Sequence, residues 1–286
     1  MENAIVLKDV TKRYGDFCLD HINLTIPQGC IVGLVGENGA GKTTILRAIL
    51  QMMPLDEGKI QVLGREREQR TLDWKEELGV VLTELDCFGE MNALQMEKCM
   101  KGIYRQWDTK MFHSYLEKFR IDPKKKLRRY SRGTKVKLNL AIALSHHARL
   151  LLLDEATSGL DPMAREEILD MLLEFMQDER HTVLLSTHIV SDLEKIADYV
   201  AFLHKGQLQL FEEKDMLLYE HGMVRCSEEE YRSIPELYVA GVRENQFGYE
   251  VLIQNRQEAQ LRCAWMRPER ASLEEILVYR LKEGLS

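Results

Sequence analysis

The chain has 286 residues, of which 45% are hydrophobic and 30% charged, values typical of a globular protein with a substantial core. This length exceeds the usual size of one domain, so we expect a large domain and a smaller one. The 39 Lys and Arg against 46 Asp and Glu give a net charge of −7, which argues against a general nucleic-acid binder. Six cysteines without a C-x-x-C pair argue against a zinc site and favour a reducing cytoplasm.

The hydropathy pattern argues against a membrane span. No stretch approaches the ~20 uninterrupted apolar residues that a membrane helix needs. The first residues, MENAIVLKDV, include an acid and lack the long apolar core of a secretory signal. We therefore expect a cytoplasmic protein, which could still dock on a membrane protein.

The first two-thirds of the chain alternate between strand and helix patterns, which predicts a mostly parallel sheet covered on both faces. Residues 4–29 alternate apolar and polar side chains between turns, as short antiparallel strands do. The apolar run CIVGLVG (30–36) predicts a buried strand, and helical spacing begins at Thr43. Residues 74–119 have a mixed, mostly helical pattern. Further strands are predicted at 150–153 and 182–186, and helices at 135–145, 162–177 and 189–197.

The pattern changes after Phe211. The segment YEVLIQN (249–255) alternates with period two, which is typical of a strand. The last helix is predicted to follow the capping-box sequence Ser272-Leu273-Glu274-Glu275 and to end near Gly284. We therefore divide the chain into a large α/β domain, residues 1–214, and a small α+β domain, residues 215–286, with no low-complexity linker between them.

Residues 36–43 read GENGAGKT and fit the phosphate-loop pattern G-x-x-x-x-G-K-[ST]. Its glycines let the backbone wrap a phosphate chain, and the following helix presents its positive end to the same phosphates. Lys42 is expected to reach the β- and γ-phosphates, and the Thr43 hydroxyl to bind Mg²⁺. The alternative is a chance match in a glycine-containing turn, which the preceding strand and following helix disfavour. The residues of the predicted site are Gly36, Asn38, Gly39, Ala40, Gly41, Lys42, Thr43 and Thr44.

Two adjacent acids end the apolar run of LLLLDEATSGLD (150–161). Carboxylates at the tip of a buried strand need a cation or a proton to be tolerated. Asp154 is placed to hold Mg²⁺ through its water shell, and Glu155 to act as general base on the attacking water. The alternative is that the pair caps the next helix.

His188 follows the apolar run TVLLST, at the end of a neighbouring predicted strand. Open α/β sheets bind their ligands at such ends, so His188 could sense the γ-phosphate. A lone histidine is more often structural, and we keep that interpretation for the others. These are His113, His146, His147, His181, His204 and His221.

A basic run, KKKLRR (124–129), leads into Tyr130-Ser131-Arg132-Gly133-Thr134. Alone it could be a nucleic-acid patch, an Arg-Arg-x-Ser phosphorylation site, or half of an active site. The acidic chain and the lack of interleaved aromatic residues weaken the first interpretation. A solvated loop face is the simpler explanation of the lysines.

These motifs, in this order, resemble the nucleotide-binding subunit of ABC transporters over about residues 3–212. GENGAGKTT resembles the Walker A motif, LLLLDE the Walker B motif with its catalytic glutamate, Ser158–Asp161 the D-loop, and His188 the switch histidine. The resemblance implies a P-loop NTPase cassette with a mostly parallel core sheet, an antiparallel β subdomain and a helical subdomain at about 84–148. Tyr14 stands where this family stacks an aromatic ring on adenine, although it could be an ordinary strand-end tyrosine.

The segment Tyr130–Thr134 falls where the family has its signature, usually Leu-Ser-Gly-Gly-Gln. The resemblance implies that Ser131 and the Gly133 N–H bind the γ-phosphate of ATP held by another subunit, so that two head-to-tail subunits enclose two ATP molecules. A phosphate on Ser131 would occupy the same place and inhibit. Arg132 and Thr134 replace the usual glycine and glutamine, as in the ABC-2 exporter branch, and an extra cation near the γ-phosphate is chemically reasonable.

A second departure is in LGVVLTELDCF, where Thr83 takes the place of the Q-loop glutamine. That glutamine helps to bind Mg²⁺ and links hydrolysis to the membrane partner. Because threonine is shorter, we expect the Mg²⁺ contact of this loop to be weak, lost or passed to Glu84.

The resemblance implies an ATPase with ATP and Mg²⁺ as cofactors, working as a homodimer or with a related ATPase. It would sit on the cytoplasmic face of the membrane, bound to a separate permease and to no nucleic acid. The tail RASLEEILVYRLKEG is similar to the ends of ABC-2 exporter ATPases, which favours export of peptides, drugs or lipids, with antimicrobial peptides preferred.

Three rival functions remain. A DNA-repair ATPase would carry a long coiled coil between Lys42 and Ser131, and a translation-type protein two cassettes. An ATP-gated dimerisation switch without transport is the third, and the base Glu155 argues for turnover instead.

Overall fold

The structure of the protein is a computed structural model that describes residues 2–66, 73–82 and 88–283. Strands and helices alternate through most of it. The strands are β1 (Asn3–Tyr14), β2 (Phe17–Pro27), β3 (Ile31–Val35), β4 (Glu57–Val62), β5 (Arg65–Glu66), β6 (Leu78–Val81), β7 (Leu150–Asp154), β8 (Thr182–Thr187), β9 (Tyr199–His204), β10 (Gln207–Glu213), β11 (Gly222–Cys226), β12 (Val239–Asn245), β13 (Gly248–Ile253) and β14 (Glu269–Arg270). The helices are α1 (Lys42–Ile49), α2 (Ala93–Ile103), α3 (Thr109–Lys118), α4 (Arg132–Leu144), α5 (Pro162–Phe175), α6 (Val190–Ile196), α7 (Lys214–Glu220), α8 (Glu228–Arg232), α9 (Arg256–Arg262) and α10 (Leu273–Glu283).

A six-stranded sheet in the order β10-β9-β3-β8-β7-β6 forms the centre of the molecule. Its strands are parallel except β10, which pairs antiparallel with β9. Every residue of β3, β7 and β8 is buried, as the continuous apolar runs predict for strands covered on both faces. Val35 pairs with Thr187, and Asp154 with Ser186. The carboxyl ends of β3, β7 and β8 therefore meet at one edge, where the phosphate loop begins.

An antiparallel sheet in the order β2-β1-β4-β5 covers α1. Apolar residues of β1, β2, β4 and α1 form one hydrophobic cluster with residues of the central sheet. The β1–β2 hairpin ends in the pair Tyr14 and Phe17. The predicted antiparallel strands at the N-terminal end of the chain are thus confirmed.

Helices α2, α3 and α4 surround a separate small core, in which Phe112 and Ala93 are fully buried. Asn92 and Gln95 form a capping box at the start of α2, and Asp108 caps α3. The pattern of residues 74–119 missed β6, which pairs parallel with β7 at the sheet edge. Its four residues are too few for a periodic signal. Gly79 allows β6 to pack closely on its neighbours, since a Cβ there would lie 2.3 Å from a methyl group of Leu151.

After β10 the chain forms an antiparallel sheet in the order β12-β13-β11-β14. One face packs on a cluster that includes residues of α9, and the other packs on α10. The strand predicted within 249–255 is confirmed as β13, and its residues Val251–Ile253 are all buried between these two layers. Ser272 and Glu275 form the predicted cap of the last helix.

Helix α10 lies between this sheet and the central part of the molecule. Its buried residues Ile276 and Leu277 belong to the same hydrophobic cluster as Leu193 and Ile196 of α6. The Leu273 N–H donates to Glu194 Oε2 at 3.2 Å. The proposed division of the chain at residue 214 stays a prediction, and packing across it is continuous.

In the described ranges, no helix has both the length and the apolar character that crossing a membrane requires.

Candidate nucleotide site

The phosphate loop connects β3 to α1 through glycines that no other residue could replace without strain. Gly39 and Gly41 have φ of +84° and +111°, a region that side chains rarely adopt. A Cβ on Gly36 would lie 2.2 Å from the carbonyl oxygen of Leu203. Gly41 is the N-cap of α1, and no side chain of the described residues caps this helix. The first N–H groups of α1 are thereby left for an anion.

Lys42 is buried at the start of α1 and folds back along the loop. Its Nζ donates to the carbonyl oxygens of Gly36 at 2.7 Å and Glu37 at 3.3 Å. The same Nζ lies 3.6 Å from Glu155 Oε1. An ammonium held between the loop and the acid is positioned to bind phosphate oxygens that enter the loop.

Thr43 and Asp154, the predicted Mg²⁺ ligands, are in contact. The Thr43 hydroxyl donates to Asp154 Oδ2 at 2.8 Å, and the Ser186 hydroxyl donates to Oδ1 at 2.9 Å. A hydroxyl and a carboxylate oxygen are hard donors of the kind Mg²⁺ binds, with substrate phosphates and water completing the shell. The residues therefore fit this ion. Ser186 was not among the predicted site residues. It lies two residues before His188, in the apolar run TVLLST, and could have been found from that position.

Glu155 points away from Asp154 and toward Lys42 and His188. Its φ is +51°, and its N–H donates to the Ser186 carbonyl at 2.9 Å. Glu155 Oε2 lies 2.6 Å from His188 Nδ1. The interpretation of Asp154-Glu155 as a helix cap is wrong, because Asp161 caps α5 by accepting from the Ala164 N–H at 3.0 Å.

Tyr14 lies at the end of β1 with half of its surface exposed, and its hydroxyl donates to Met53 Sδ at 3.1 Å. Its strand partner Phe17 approaches the phosphate loop directly, since a Cβ on Gly41 would lie 2.9 Å from Phe17 Cζ. The hairpin thus brings two aromatic rings to the loop side of the sheet. Only Tyr14 was predictable from the sequence, because a phenylalanine two residues before the buried part of a strand carries no signal of its own.

Ser131 is the N-cap of α4, which begins three residues before the predicted helix. Its Oγ accepts from the Thr134 N–H at 3.2 Å and lies 2.8 Å from the Thr134 hydroxyl. Gly133 packs on α5, where an added Cβ would lie 3.3 Å from Ala164 Cβ. Among the described residues, the Ser131 hydroxyl bonds within α4, and an added Cβ on Gly133 would meet Ala164 and, at 3.8 Å, Leu160; none of these partners belongs to the phosphate loop.

The basic run before Ser131 is exposed and partly neutralised. Lys126 Nζ lies 2.7 Å from Glu90 Oε2, Arg128 also pairs with Glu90, and these charges hold the pKa of Glu90 below its usual value. Tyr130 is buried, its hydroxyl donates to the Asp122 carbonyl at 2.6 Å, and burial raises its pKa. The run is therefore a solvated face anchored by Tyr130.

Thr83 and Glu84, the predicted Q-loop positions, lie outside the described residues.

Comparison with known proteins assigns the family. The chain matches the model of the ABC transporter family over residues 19–158. It is 31% identical over 214 residues to the bacitracin transport ATP-binding protein BcrA of Bacillus licheniformis, covering 73% of this chain and 69% of that protein. It is 30% identical over 213 residues to the lantibiotic transport ATP-binding protein SrtF of Streptococcus pyogenes, covering 73% of this chain and 90% of that protein.

The fold is also that of solved cassettes. One of them, an ATP-binding cassette solved as a dimer in a post-hydrolysis state with ADP and Pi, matches with a TM-score of 0.65 at 23% identity, covering 73% of this chain and 98% of that one. The expected cassette fold is confirmed. The sequence identity to the transport proteins and the motifs described above lead to the same family. The chain belongs to the ATP-binding proteins of the ABC transporter family.

Proposed function

We propose that this chain is the ATP-hydrolysing subunit of an exporter of antimicrobial peptides. The observation that carries the proposal is the cluster of Lys42, Glu155 and His188 beside Thr43 and Asp154. Such a cluster holds a phosphate binder, a base and a pair of Mg²⁺ donors within one small volume. A protein that only bound ATP would not need a base oriented by a histidine.

In the proposed mechanism the β- and γ-phosphates bind the N-terminus of α1 and the ammonium of Lys42. Thr43 and Asp154 would hold Mg²⁺, which neutralises charge on the phosphate oxygens. Glu155 accepts a proton from the attacking water, and His188 keeps the carboxylate in place through its contact at 2.6 Å. Ser186 fixes Asp154 by its hydrogen bond. Tyr14 is proposed to stack on adenine, and Thr83 to contribute little to metal binding.

We further propose that two copies, or this chain and a related ATPase, enclose two ATP molecules head to tail. Support comes from Ser131 and Gly133, whose described partners lie on α4, on α5 and at Leu160, and from the dimeric cassette with a similar fold. The N-terminus of α4 supplies a second anion site of the same kind as that of α1. A separate permease would bind the pair at the cytoplasmic face of the membrane.

The substrate class follows from the relatives, whose printed functions are bacitracin transport and lantibiotic transport. Both substrates are peptide antibiotics, which agrees with the exporter character of the C-terminal tail. The alternative function is an ATP-gated dimerisation switch, which would bind ATP and dimerise without turnover or transport.

The test compares Glu155→Gln with Glu174→Gln, an exposed acid on α5 changed in the same way. We expect Glu155→Gln to lower phosphate release at least ~100-fold, the scale of lost general-base catalysis, while ATP binding is retained. Introduced into the native host, Glu155→Gln should lower the tolerated concentration of bacitracin or a lantibiotic, and Glu174→Gln should not. Wild-type protein that dimerises with ATP but releases no phosphate, even in native membranes, would favour the switch. If Glu155→Gln abolished ATPase activity but left the tolerated concentration unchanged, the proposal of peptide export would be contradicted and the proposal of an ATPase would stand.

A further inference from the structure

His146 lies where the helices that follow β6 rejoin the central sheet. It comes two residues after the end of α4, and only 2% of its surface is exposed. Its ring stacks on Tyr104, the C-cap of α2, with the ring centroids 3.8 Å apart and the planes inclined by 10°. Because the stacking holds the plane of the ring, each ring nitrogen has one fixed direction.

Each ring nitrogen of His146 lies at a backbone carbonyl oxygen. Nδ1 is 3.0 Å from the oxygen of Ile142, one of the last four carbonyls of α4, which in general lack a donor within the helix. Nε2 is 2.9 Å from the oxygen of Leu78, the first residue of β6, which is the edge strand of the central sheet. One contact is therefore internal to α4, and the other joins the end of α4 to the sheet.

A neutral imidazole cannot donate to both carbonyls, because it carries a single N–H. Burial lowers the pKa of His146 against the opposing effects of the two carbonyl contacts and of Glu76, and the neighbouring His147 lowers it further. The ring is therefore neutral at pH ~7, since the unperturbed pKa of histidine is ~6.5. At any moment one nitrogen donates, while the other turns its lone pair toward a carbonyl oxygen. The proton thus has two alternative positions of similar geometry.

The two elements that this ring joins lead to two predicted parts of the ATPase site. Helix α4 begins at the signature, where Ser131 is the N-cap. Thr83, the predicted Q-loop position, follows β6 by two residues in the sequence. The 13-residue helix α4 packs along β6. Because packed helices shift as units, a hydrogen bond made or lost at the end of α4 is expected to change the position of Ser131 at its start.

We propose that His146 is a positioning residue for the signature helix α4, and that its proton moves between the two ring nitrogens during the ATPase cycle. With the proton on Nε2, the ring donates to the Leu78 carbonyl and ties the end of α4 to β6. With the proton on Nδ1, the ring donates to the Ile142 carbonyl within α4, and the bond to β6 is lost. The exchange binds a proton from water at the bare nitrogen and releases the other proton to water, so the charge of the ring is unchanged. This inference rests on the proposed ATPase function.

The experiment locates the proton by ¹⁵N NMR of the histidine rings in the full-length protein at about pH 8, above the unperturbed pKa of histidine. Protonated and bare ring nitrogens have widely separated ¹⁵N shifts. His181 is the matched control: it stacks on Phe175 with the centroids 4.0 Å apart, and among the described residues only its Nδ1 lies at a carbonyl oxygen, 2.7 Å away. We expect His181 to carry its proton on Nδ1 alone. His146 should show both tautomers without nucleotide, and should shift toward Nε2–H when Mg²⁺ and ATP are added to protein carrying Glu155→Gln.

Two variants fix the donor in one place and identify the signal of His146 by its absence. His146→Gln keeps an N–H near the position of Nε2, and His146→Asn keeps one near the position of Nδ1. Because each variant supports only one of the two states, we expect kcat for ATP hydrolysis to fall about fivefold in both, the scale of one lost hydrogen bond, with KM for ATP unchanged. His181→Asn should keep the kcat of the wild type.

The outcomes separate this inference from the function on which it rests. A single tautomer of His146 that ATP does not change would overturn the inference even if both variants lost activity, since His146 would then only stabilise the fold. Wild-type kcat in both variants would overturn it as well. A wild-type protein that hydrolyses no ATP would contradict the proposed function, whereas two tautomers of His146 in the nucleotide-free protein would still support the exchange.

Discussion

Glu155 illustrates how a single backbone angle arranges the site. A left-handed conformation at a residue with a side chain costs roughly 1–2 kcal/mol, and the chain adopts it here at φ of +51°. The turn sends Asp154 toward Thr43 and Glu155 toward His188, although the two acids are adjacent in sequence. Two neighbouring carboxylates thereby serve different partners. The adjacent acids were predictable from sequence, but the angle that separates them follows from the hydrogen bond of the Glu155 N–H to Ser186.

Ser186→Ala tests the hydrogen bond to Asp154. We expect the Mg²⁺ concentration for half-maximal ATPase activity to rise about tenfold, because the carboxylate loses the group that orients it. Loss of one buried hydrogen bond should also lower the free energy of unfolding by about 1 kcal/mol. Ser145→Ala is the matched control, since Ser145 is equally buried and donates to the Ala141 carbonyl far from the site. A similar Mg²⁺ requirement in both variants would contradict the orienting role of Ser186.

At the scale of elements, α10 connects the C-terminal sheet to the catalytic part of the molecule. It packs on α6, which begins two residues after His188. A second contact joins α10 to His221, which is buried at the end of α7. The Nδ1–H of His221 donates to the Leu217 carbonyl, and Arg280 Nη2 of α10 lies 3.2 Å from His221 Nε2. Because Nε2 must accept this bond, the neutral ring fits the site. Burial, with the Arg280 charge, lowers the pKa of His221.

This arrangement predicts a pH dependence of stability. A histidine with a lowered pKa in the folded state binds protons more readily when unfolded, so the free energy of unfolding should fall as pH drops below ~6.5, the unperturbed value. We expect His221→Gln to flatten the melting temperature between pH 7.5 and 5.5 relative to wild type. His147→Gln, which changes an exposed ring, is the control for the substitution of a histidine elsewhere in the molecule. Parallel curves for wild type and His221→Gln would show that this ring does not titrate in the range.

At the scale of the whole molecule, no hydrogen bond or ion pair among the described residues joins the phosphate loop to the signature turn. Lys42 and its partners lie at the carboxyl ends of β3, β7 and β8, whereas Ser131 caps a helix that packs on α5. Each of the two segments ends at the N-terminus of a helix, which is the kind of backbone site that binds a phosphate. This separation is the physical reason for expecting a pair of subunits.

Ser131→Arg tests the pairing. The long side chain would fill the place of the γ-phosphate and remove the cap of α4, so ATP-driven dimerisation and phosphate release should be abolished, while the monomer binds ATP normally. Ser227→Arg is the control, because Ser227 caps α8 in the same way, with its Oγ accepting from Glu230. Both caps contribute about 1 kcal/mol, so a similar loss of stability is expected from each change. Weaker ATP binding by the Ser131→Arg monomer would contradict a cross-subunit site.

The sequence by itself determined the phosphate loop, the adjacent acids, the signature and hence the family, because each is a short run of residues whose chemistry depends on local backbone geometry. Only the tertiary structure decided which strand ends meet and what lies between them. The bond of Ser186 to Asp154, the strand β6 and the layer formed by α10 all depend on contacts between residues far apart in the chain. The basic turn is a further example. Its sequence shows Arg132 where the family usually has glycine, and only the fold shows that the guanidinium lies against Gly159.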